Sequence, residues 1–428
     1  MVTADMISVE EARERILAHF ARLEPEERPI LEALGQVLAE DVVAGFDIPP
    51  LDNTAMDGYA VRAADTAGAS PERPVELRVI GELAAGYLFQ GRVQPGTAVR
   101  IMTGAPIPAG ADAIVPFEET DEPAERRHVP KGAGPAAGTV RVFKAAAVGA
   151  NIRRAGEDVQ RGSTVLAAGT VLRPAEVGVL ASLGRRTVRV YRRPVVAILS
   201  TGDEVLEPGQ PPQPGKIFDA NAYSIAAMVT RFGGVPLLLG IARDTVEDLT
   251  AKIRQGLESA DMIVTSAGVS RGDYDVVKDV LMREGQIDFW TVRMKPGKPL
   301  AFGAFPHRGR QVPHIGLPGN PVSSVITFEL FGRPAIFKML GKPYWERPTV
   351  RAISEDRIPI TDERRFYARC VVTQREGRWY ASLSGGQGSG ILSSLARANG
   401  LAVVPEHSTD VLPGQEVTVM MLDWELGP

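Results

Sequence analysis

The chain has 428 residues, 44% of them apolar and 23% charged, with a formal net charge of −4. This length and composition suit a soluble globular protein of roughly two to four domains, and the small negative charge leaves no bulk basic field for nucleic acid or an anionic membrane. The lone cysteine, Cys370, rules out an internal disulfide and fits a reducing compartment.

The opening "MVTADMISVEEARERIL" has no basic region followed by an apolar one, so no signal peptide is expected. No stretch approaches the roughly 18 consecutive apolar residues of a membrane span. The default location is cytoplasmic. "SVEEARERILAHFARL" carries a capping box, Ser8 with Glu11, and Val9, Ala12, Ile16, Phe20 and Leu23 share one helical face. "EERPILEALGQVLAEDVVA" reads as a turn, a short helix and a strand. From Phe46 to about Ala150, Pro, Gly and Ala abound between short β-like runs, which reads as a small β-rich domain. "EDVQRGSTVLAAGTVLRPAEVGVLASLG" reads as two short strands and a short amphipathic helix.

From Pro194 the pattern changes to strands alternating with helices: "VVAILSTGDE", "NAYSIAAMVTRFGG", "VPLLLGIARD", "TVEDLTAKIRQGLESA", "ADMIVTSAG", "DYDVVKDVLMREG", "FWTVRMKPG", "HIGLPGNP" and "PVSSVITFELFGRPAIFKML". This alternation predicts a doubly wound α/β domain with a parallel sheet. Ligands bind such sheets outside the carboxyl ends of the strands. The turns "STGDE", "IARD", "TSAGVSRGD" and "LPGNP" all stand there and are expected to converge on one crevice. After about Lys342 the helical period is lost. "TVRAIS", "RRFYARCVVTQ", "WYASLS", "LAVVPE" and "EVTVMML" predict a separate small β domain, with Cys370 as a passive strand residue.

Several common chemistries are absent. Lys216, Lys298 and Lys342 each follow Gly but precede Ile, Pro and Pro, so no Walker-type phosphate loop exists. "GAGPAAG" at Gly132 has the wrong glycine spacing for a dinucleotide fingerprint. The five histidines are scattered, without H-E-x-x-H, which argues against His-ligated zinc. No G-x-S-x-G elbow appears.

What remains is a set of polar turns, each open to a purely structural reading. "STGDE" offers the Ser200 and Thr201 hydroxyls and the open Gly202 backbone to an oxyanion, with Glu204 adding charge; alone, it is equally a solvated strand end. In "LPGNPVSSV", Pro318 and Pro321 fix the turn, Gly319 permits close approach and Asn320 suits the N-cap, either a good cap or an anion site. Lys295 and Lys298 of "RMKPGKPLAFG" sit at a strand-to-strand turn, either basic partners of an oxyanion or a solvated turn. "DNTAMDGYAV" holds Asp57-Gly58, a turn signal in an unusual mixture of acid, amide, hydroxyl and thioether. Asp273 and Asp275 end "TSAGVSRGDYD", where either suits a helix start. Acids beside a phosphate site repel it unless a divalent cation lies between, and Mg²⁺ is bound in that way.

Read in order, "DNTAMDGYAV", "RIMTGAPIPAGADAIVP", "AGEDV", "STGDEV", "DANAY", "TSAGVSRGDYD", "MKPGKPLAFG" and "GLPGNPVSSVITFE" resemble the MoeA-type molybdopterin molybdenumtransferases, which are similar to the E domain of gephyrin. The resemblance covers almost the whole chain. It implies Mg²⁺-dependent insertion of molybdate into adenylylated molybdopterin, with release of AMP. It also implies a homodimer whose active site is shared between subunits, and hand-over of substrate from a molybdopterin adenylyltransferase. The implied fold has a linker domain (26–46 and 151–191), a small β-rich domain (47–150), an α/β domain like the molybdopterin adenylyltransferases (6–25 and 192–342) and a C-terminal β-barrel (343–428).

By motif, Asp57, Thr103 and Asp158 resemble cross-subunit site residues. Glu204, Asp244 and Asp275 resemble the acids that organise metal and pyrophosphate, with Asp57 as a further ligand. Lys295 and Lys298 resemble the basic side that receives phosphate or molybdate. Ser200, Thr201, Gly202, Ser266, Gly268, Ser270, Pro318, Gly319, Asn320 and Pro321 line the implied molybdopterin site. Ser389 in "GGQGSGILSS" is the best match for a molybdate-proximal serine, with Ser393 and Ser394 as alternatives. The chain departs from the family pattern at Ala267, where a second glycine is usual; a methyl there is expected to be harmless in a β conformation. Two rival readings stay open: a molybdopterin adenylyltransferase, which would consume ATP without molybdate, and a non-catalytic cofactor-binding scaffold, which would bind molybdopterin and release no AMP.

Overall fold

The structure is a computed structural model that describes residues 6–122, 133–134, 138–266, 276–343 and 346–424. It forms two compact units, one of Met1–Glu40, Ala168–Gly178 and Arg185–Pro428, the other of Asp41–Ala167 and Val179–Gly184. In the first unit, helix α1 (Val9–Leu17) starts at Ser8, whose hydroxyl accepts the Glu11 N–H at 3.0 Å. The helix stops at Leu17, and Phe20 joins the same buried cluster from beyond it. The short helix expected in "PILEALG" does not form. Pro25–Pro29 is a strand paired with Thr187–Tyr191, and the single turn that follows ends at Gly35, which takes φ 79°.

The second unit is built on strands β1 (Gly58–Val61), β2 (Val75–Leu83), β3 (Thr97–Ile101), β4 (Ala113–Pro116) and β5 (Thr139–Val142). They run in the order β4-β1-β3-β2, with β5 and Ala133–Gly134 both pairing β2. Period-two alternation serves two cores: Tyr59 and Val61 enter one cluster and Ala60 the other. A side chain at Gly58 would put its Cβ 2.1 Å from the Val115 carbonyl oxygen, so only glycine lets β1 approach β4 there.

The α/β part of the first unit contains β6 (Val195–Thr201), α2 (Ala220–Phe232), β7 (Val235–Ala242), α3 (Val246–Leu257), β8 (Met262–Ser266), α4 (Val276–Glu284), β9 (Gln286–Thr291), β10 (Pro299–His307), β11 (Arg310–Leu317), α5 (Pro321–Thr327) and α6 (Arg333–Met339). The sheet order is β7-β6-β8-β11-β10-β9. Val196 and Ile198 pack with α1, α2 and α5 on one face; Ala197 and Leu199 pack with α3 and α4 on the other. This is the expected doubly wound arrangement, with one correction. β7, β6, β8 and β11 are parallel, but β10 runs antiparallel to both of its neighbours, β11 and β9. Arg308 (φ 48°) and Gly309 (φ 78°) close a two-residue hairpin between β10 and β11, and such a hairpin joins only antiparallel strands. The closing helix passes through a π-helical stretch, Phe328–Gly332, before α6, with Pro334 in its next turn.

The chain continues into β12 (Thr349–Ser354), β13 (Arg365–Arg375), β14 (Arg378–Leu383), α7 (Leu392–Arg397), β15 (Gly400–Val404) and β16 (Glu416–Met421). Their order β13-β14-β12-β16-β15 closes through a β13–β15 pairing into a five-stranded barrel. Phe366, Ala368, Cys370 and Val372 belong to its core, and burial pushes the Cys370 thiol up to about 12. Tyr367, on the other face of β13, joins the α/β core cluster instead.

His314 on β11 is fully buried, its Nε2 3.0 Å from the Thr265 hydroxyl on β8, and burial lowers its pKa to about 3. In the unfolded chain imidazole titrates near 6.5. Between those values the unfolded state binds the extra proton, so acidification costs stability, at up to about 1.4 kcal/mol per pH unit. Urea unfolding at pH 7 and pH 5 is therefore expected to show a larger loss for wild type than for His314→Gln; equal losses would assign the acid sensitivity elsewhere.

Candidate active site

Parallel register brings the sequence-predicted turns to one edge. Ser200 of β6 lies beside Ser266 of β8 and Ile241 of β7, and Ser266 lies beside Leu317 of β11. The Ser200 and Ser266 hydroxyls are 3.1 Å apart and the Thr201 hydroxyl donates to the Ser266 carbonyl at 3.4 Å. All three residues are buried, so they knit the strand ends together. Gly202 adopts φ 128°, and a Cβ there would lie 2.5 Å from Glu204 Oε2. The exposed Glu204 carboxylate thus folds back over an open glycine backbone. The Asp203 N–H donates to Asp244 Oδ2 at 3.4 Å, joining the "STGDE" and "IARD" turns. A groove of about 490 Å³ opens beside them, lined in part by Gly202, Asp203, Glu207, Arg243 and Lys252. Gly268, Ser270, Asp273, Asp275 and the unusual Ala267 lie outside the described residues.

The "LPGNP" turn follows β11. Pro318 is buried, Gly319 and Asn320 are exposed, and Pro321 opens α5. Asn320 occupies the N-cap, but its side chain makes no capping hydrogen bond. Two links to this turn were not foreseen. Asn221 of "DANAY", just after the α2 cap Asp219, donates through Nδ2 to the Gly319 carbonyl at 2.8 Å. The Val322 N–H donates to the Ser389 carbonyl at 3.0 Å, which seats the "GGQGS" loop at the start of α5. Ser394 is fully buried, accepting from Arg369 Nε at 2.8 Å and donating to the Ile391 carbonyl at 2.7 Å. Its hydroxyl is spent on the fold, and Ser393 is exposed.

The two lysines separate. Lys295 pairs beside Phe366 of the barrel, donates to the Thr361 hydroxyl and lies 3.8 Å from Asp362. Arg364, and then Lys295, hold the Asp362 carboxyl down at about 2. Lys298 is exposed, and among the described residues its ammonium has no hydrogen-bond or ion-pair partner. Nothing in the sequence pattern distinguished the two.

In the other unit, β1 and β3 are antiparallel, with Gly58 opposite Ile101. That register brings Asp57 and Thr103 together although 46 residues separate them. Asp57 Oδ1 accepts from the Thr103 N–H at 2.6 Å and from its hydroxyl at 2.8 Å, and both residues are exposed. Asp158 is exposed in a loop tied back through its own N–H to the Ile48 carbonyl at 3.0 Å. Asp52 anchors the same loop through Arg154, at 2.7 Å, and the Ala155 N–H, at 2.8 Å.

Among the described residues no three His, Cys, Asp or Glu side chains group to hold a metal ion. Glu204 and Asp244 are carboxylates on joined loops, which suits a hard divalent cation completed by further oxygens. No helix among the described residues is long and apolar enough to cross a membrane.

Comparison with known proteins gives consistent matches along the chain. The description "MoeA N-terminal region (domain I and II)" matches residues 7–184, "Probable molybdopterin binding domain" 197–338 and "MoeA C-terminal region (domain IV)" 351–422. Molybdopterin molybdenumtransferase 2 of Mycobacterium tuberculosis is 39% identical, covering 98% of this chain and all of that one. The molybdopterin molybdenumtransferase of Nostoc is 38% identical over 91% of this chain and 87% of its own. A crystal structure of the molybdopterin biosynthesis MoeA protein of Pyrococcus horikoshii matches with a TM-score of 0.79 at 30% identity, covering 98% of this chain and all of that one. On this full-length likeness, the chain belongs to the MoeA family of molybdopterin molybdenumtransferases, enzymes of molybdenum cofactor biosynthesis.

Proposed function

We propose that this enzyme inserts molybdate into adenylylated molybdopterin and releases AMP. The observation that carries this reading is the convergence of the "STGDE", "IARD" and "LPGNP" turns on one sheet edge, with Ser389 seated beside Val322. The buried hydroxyls of Ser200, Thr201 and Ser266 shape the molybdopterin side from below, the open backbone at Gly202 offers an approach to phosphate oxygens, and Gly268 and Ser270 belong to the same site by motif. Pro318, Gly319, Asn320, Pro321 and Ser389 border the place where molybdate meets the dithiolene. Lys298 orients the departing AMP, and Lys295, tied to Asp362, fixes the turn that carries it. Glu204, Asp244, Asp275 and Asp57 are the residues that would hold Mg²⁺, which supplies charge neutralisation between the phosphates when bound. The protein contributes position and electrostatics, and the substrate's dithiolene contributes the ligand chemistry.

The reading includes a cytoplasmic homodimer in which Asp57, Thr103 and Asp158 of one protomer serve the sheet edge of the other. The exposure of these three side chains supports it. It also includes hand-over of substrate from a molybdopterin adenylyltransferase, and subdivision of the two units into four domains: linker 26–46 and 151–191, β-rich 47–150, α/β 6–25 and 192–342, and barrel 343–428.

The test is mass spectrometry of the products after mixing the protein with adenylylated molybdopterin and Mg²⁺, with and without molybdate. AMP and molybdenum-loaded cofactor are expected only when molybdate is present. ATP consumption without molybdate would establish the adenylyltransferase instead, and tight binding of molybdopterin without AMP release would establish a scaffold.

A further inference from the structure

A second cavity, of about 620 Å³, lies at the opposite end of the sheet. Arg193 just before β6 and Gly233 just before β7 border it, so it sits at the amino ends of the strands, away from the polar turns. Arg173, Arg193, Arg231, Arg333, Lys342 and Arg347 all line it. Arg173 is paired with Glu176 at 2.6 Å, whereas among the described residues Arg193, Arg231, Arg333 and Arg347 have one ion-pairing carboxylate between them, Glu329. Arg333 Nε and Arg347 Nε donate to the same oxygen, Glu329 Oε1, at 2.5 and 2.8 Å, and these three side chains are only 4–6% exposed. One buried carboxylate therefore serves two buried guanidinium groups. Burial first, then repulsion from Arg347 set against attraction to Glu329, holds Arg333 below its usual pKa.

Among the described residues the Arg193 guanidinium hydrogen-bonds to carbonyl oxygens alone, those of Gly233 at 3.1 Å and Leu34 at 2.9 Å. Burial lowers its pKa, with Arg28 and Glu26 acting in opposite directions. Arg231 also reaches a carbonyl, that of Leu422, at 3.0 Å. Carbonyls satisfy N–H donors but cancel no charge, and surplus positive charge in a partly desolvated cavity calls for an anion. Guanidinium forks match phosphate oxygens in geometry as well as in charge. The apolar part of the lining includes Leu34, Leu172 and Phe337, whose ring centre lies 5.3 Å from the Arg333 guanidinium carbon. The volume falls within the range of small-molecule sites.

We propose that this cavity binds a small phosphorylated molecule whose phosphate meets Arg193, Arg231 and the Arg333–Arg347 pair, and whose apolar body lies against Leu34, Leu172 and Phe337. The site is separate from the sheet edge that carries the proposed chemistry, and it stands whether or not that reading holds. The test is titration calorimetry of the full chain at low salt, without Mg²⁺, using inorganic phosphate and phenyl phosphate as probes. Phenyl phosphate is expected to bind at least threefold more tightly than phosphate. Binding of both should weaken at least tenfold in Arg193→Gln and in the surface variant Arg231→Gln. Unfolding midpoints of each variant identify any that fails to fold, and Arg231→Gln carries the test if Arg193→Gln does. Three results would overturn the proposal: no binding at millimolar probe, binding kept in the arginine variants, or equal affinity for the two probes.

Discussion

Asp57→Asn is expected to slow molybdate-dependent AMP release about a hundredfold or more while leaving the thermal midpoint within a degree or two of wild type. Two features make this substitution selective. The Oδ1 atom of Asp57 accepts both Thr103 hydrogen bonds, at 2.6 and 2.8 Å, and an asparagine side-chain oxygen can accept both. The turn is thus held as before, and what disappears is the negative charge. That charge is exposed, where a carboxylate adds little to stability. Its loss matters only if the carboxylate faces a ligand whose charge changes during the reaction. Removing one such electrostatic group commonly costs about 10²–10³ in turnover. Thr103→Val is a graded companion. It keeps the backbone N–H bond to Asp57 and loses the hydroxyl one, so a loss nearer tenfold is expected. Steady-state rates at saturating Mg²⁺ and molybdate decide the matter: an Asp57→Asn enzyme as fast as wild type would remove the carboxylate from the mechanism.

Much of this fold was legible because the signals were local. β6 alternates strictly between two cores, and Gly233 takes the left-handed conformation (φ 95°) that ends α2. The five barrel strands follow the β-like runs of the tail almost run for run. Misreadings arose where a local signal was weak or contradicted by its surroundings. "ILEALG" has helical composition, but it lies between a strand edge and a glycine at positive φ, and one turn is all it makes. "HRGR" does not advertise a hairpin, because an arginine in the left-handed region is uncommon, so the reversal of β10 was missed.

At the site, the turns were legible as chemistry but their mutual contacts were not. Asp203 with Asp244, Asn221 with Gly319, and Ser389 with Val322 are joined by tertiary placement, across sequence gaps that carry no pattern. Equally hidden was the division of labour between Lys295 and Lys298, which depends on Asp362 in the barrel.

Arg369 is the least legible of these residues and carries the second large expected effect. It sits on β13, fully buried, and among the described residues it forms no ion pair with a carboxylate. Burial lowers its pKa to about 10. Its Nε donates to the Ser394 hydroxyl at 2.8 Å, and its Nη2 to the Gly386 and Gly388 carbonyls at 2.8 and 3.1 Å. The Gln387 side chain clasps the Arg369 backbone, accepting its N–H at 2.8 Å and donating to its carbonyl at 3.1 Å. The segment 386–388 is therefore moulded around one guanidinium, and the next residue is Ser389, whose carbonyl meets Val322 at the start of α5.

Arg369→Leu would leave the buried Ser394 hydroxyl without this donor, at about 1–3 kcal/mol, and would release the carbonyls of Gly386 and Gly388, both exposed residues, to water. Removal of a buried charge that has no carboxylate partner among the described residues offsets part of this cost, and a loss of about 1–3 kcal/mol is expected in urea unfolding. Arg369→Lys keeps a charge but not the planar fork, so it should recover part of that stability and still misplace the loop. In that variant the KM for molybdate is expected to rise about tenfold with a smaller change in kcat if the displaced group positions the oxyanion as proposed. A Ser389→Ala enzyme should show a similar shift in KM with no loss of stability. If Arg369→Lys instead keeps both the wild-type unfolding midpoint and the wild-type KM, the loop holds its shape without the guanidinium, and Arg369 is only a tolerated buried charge.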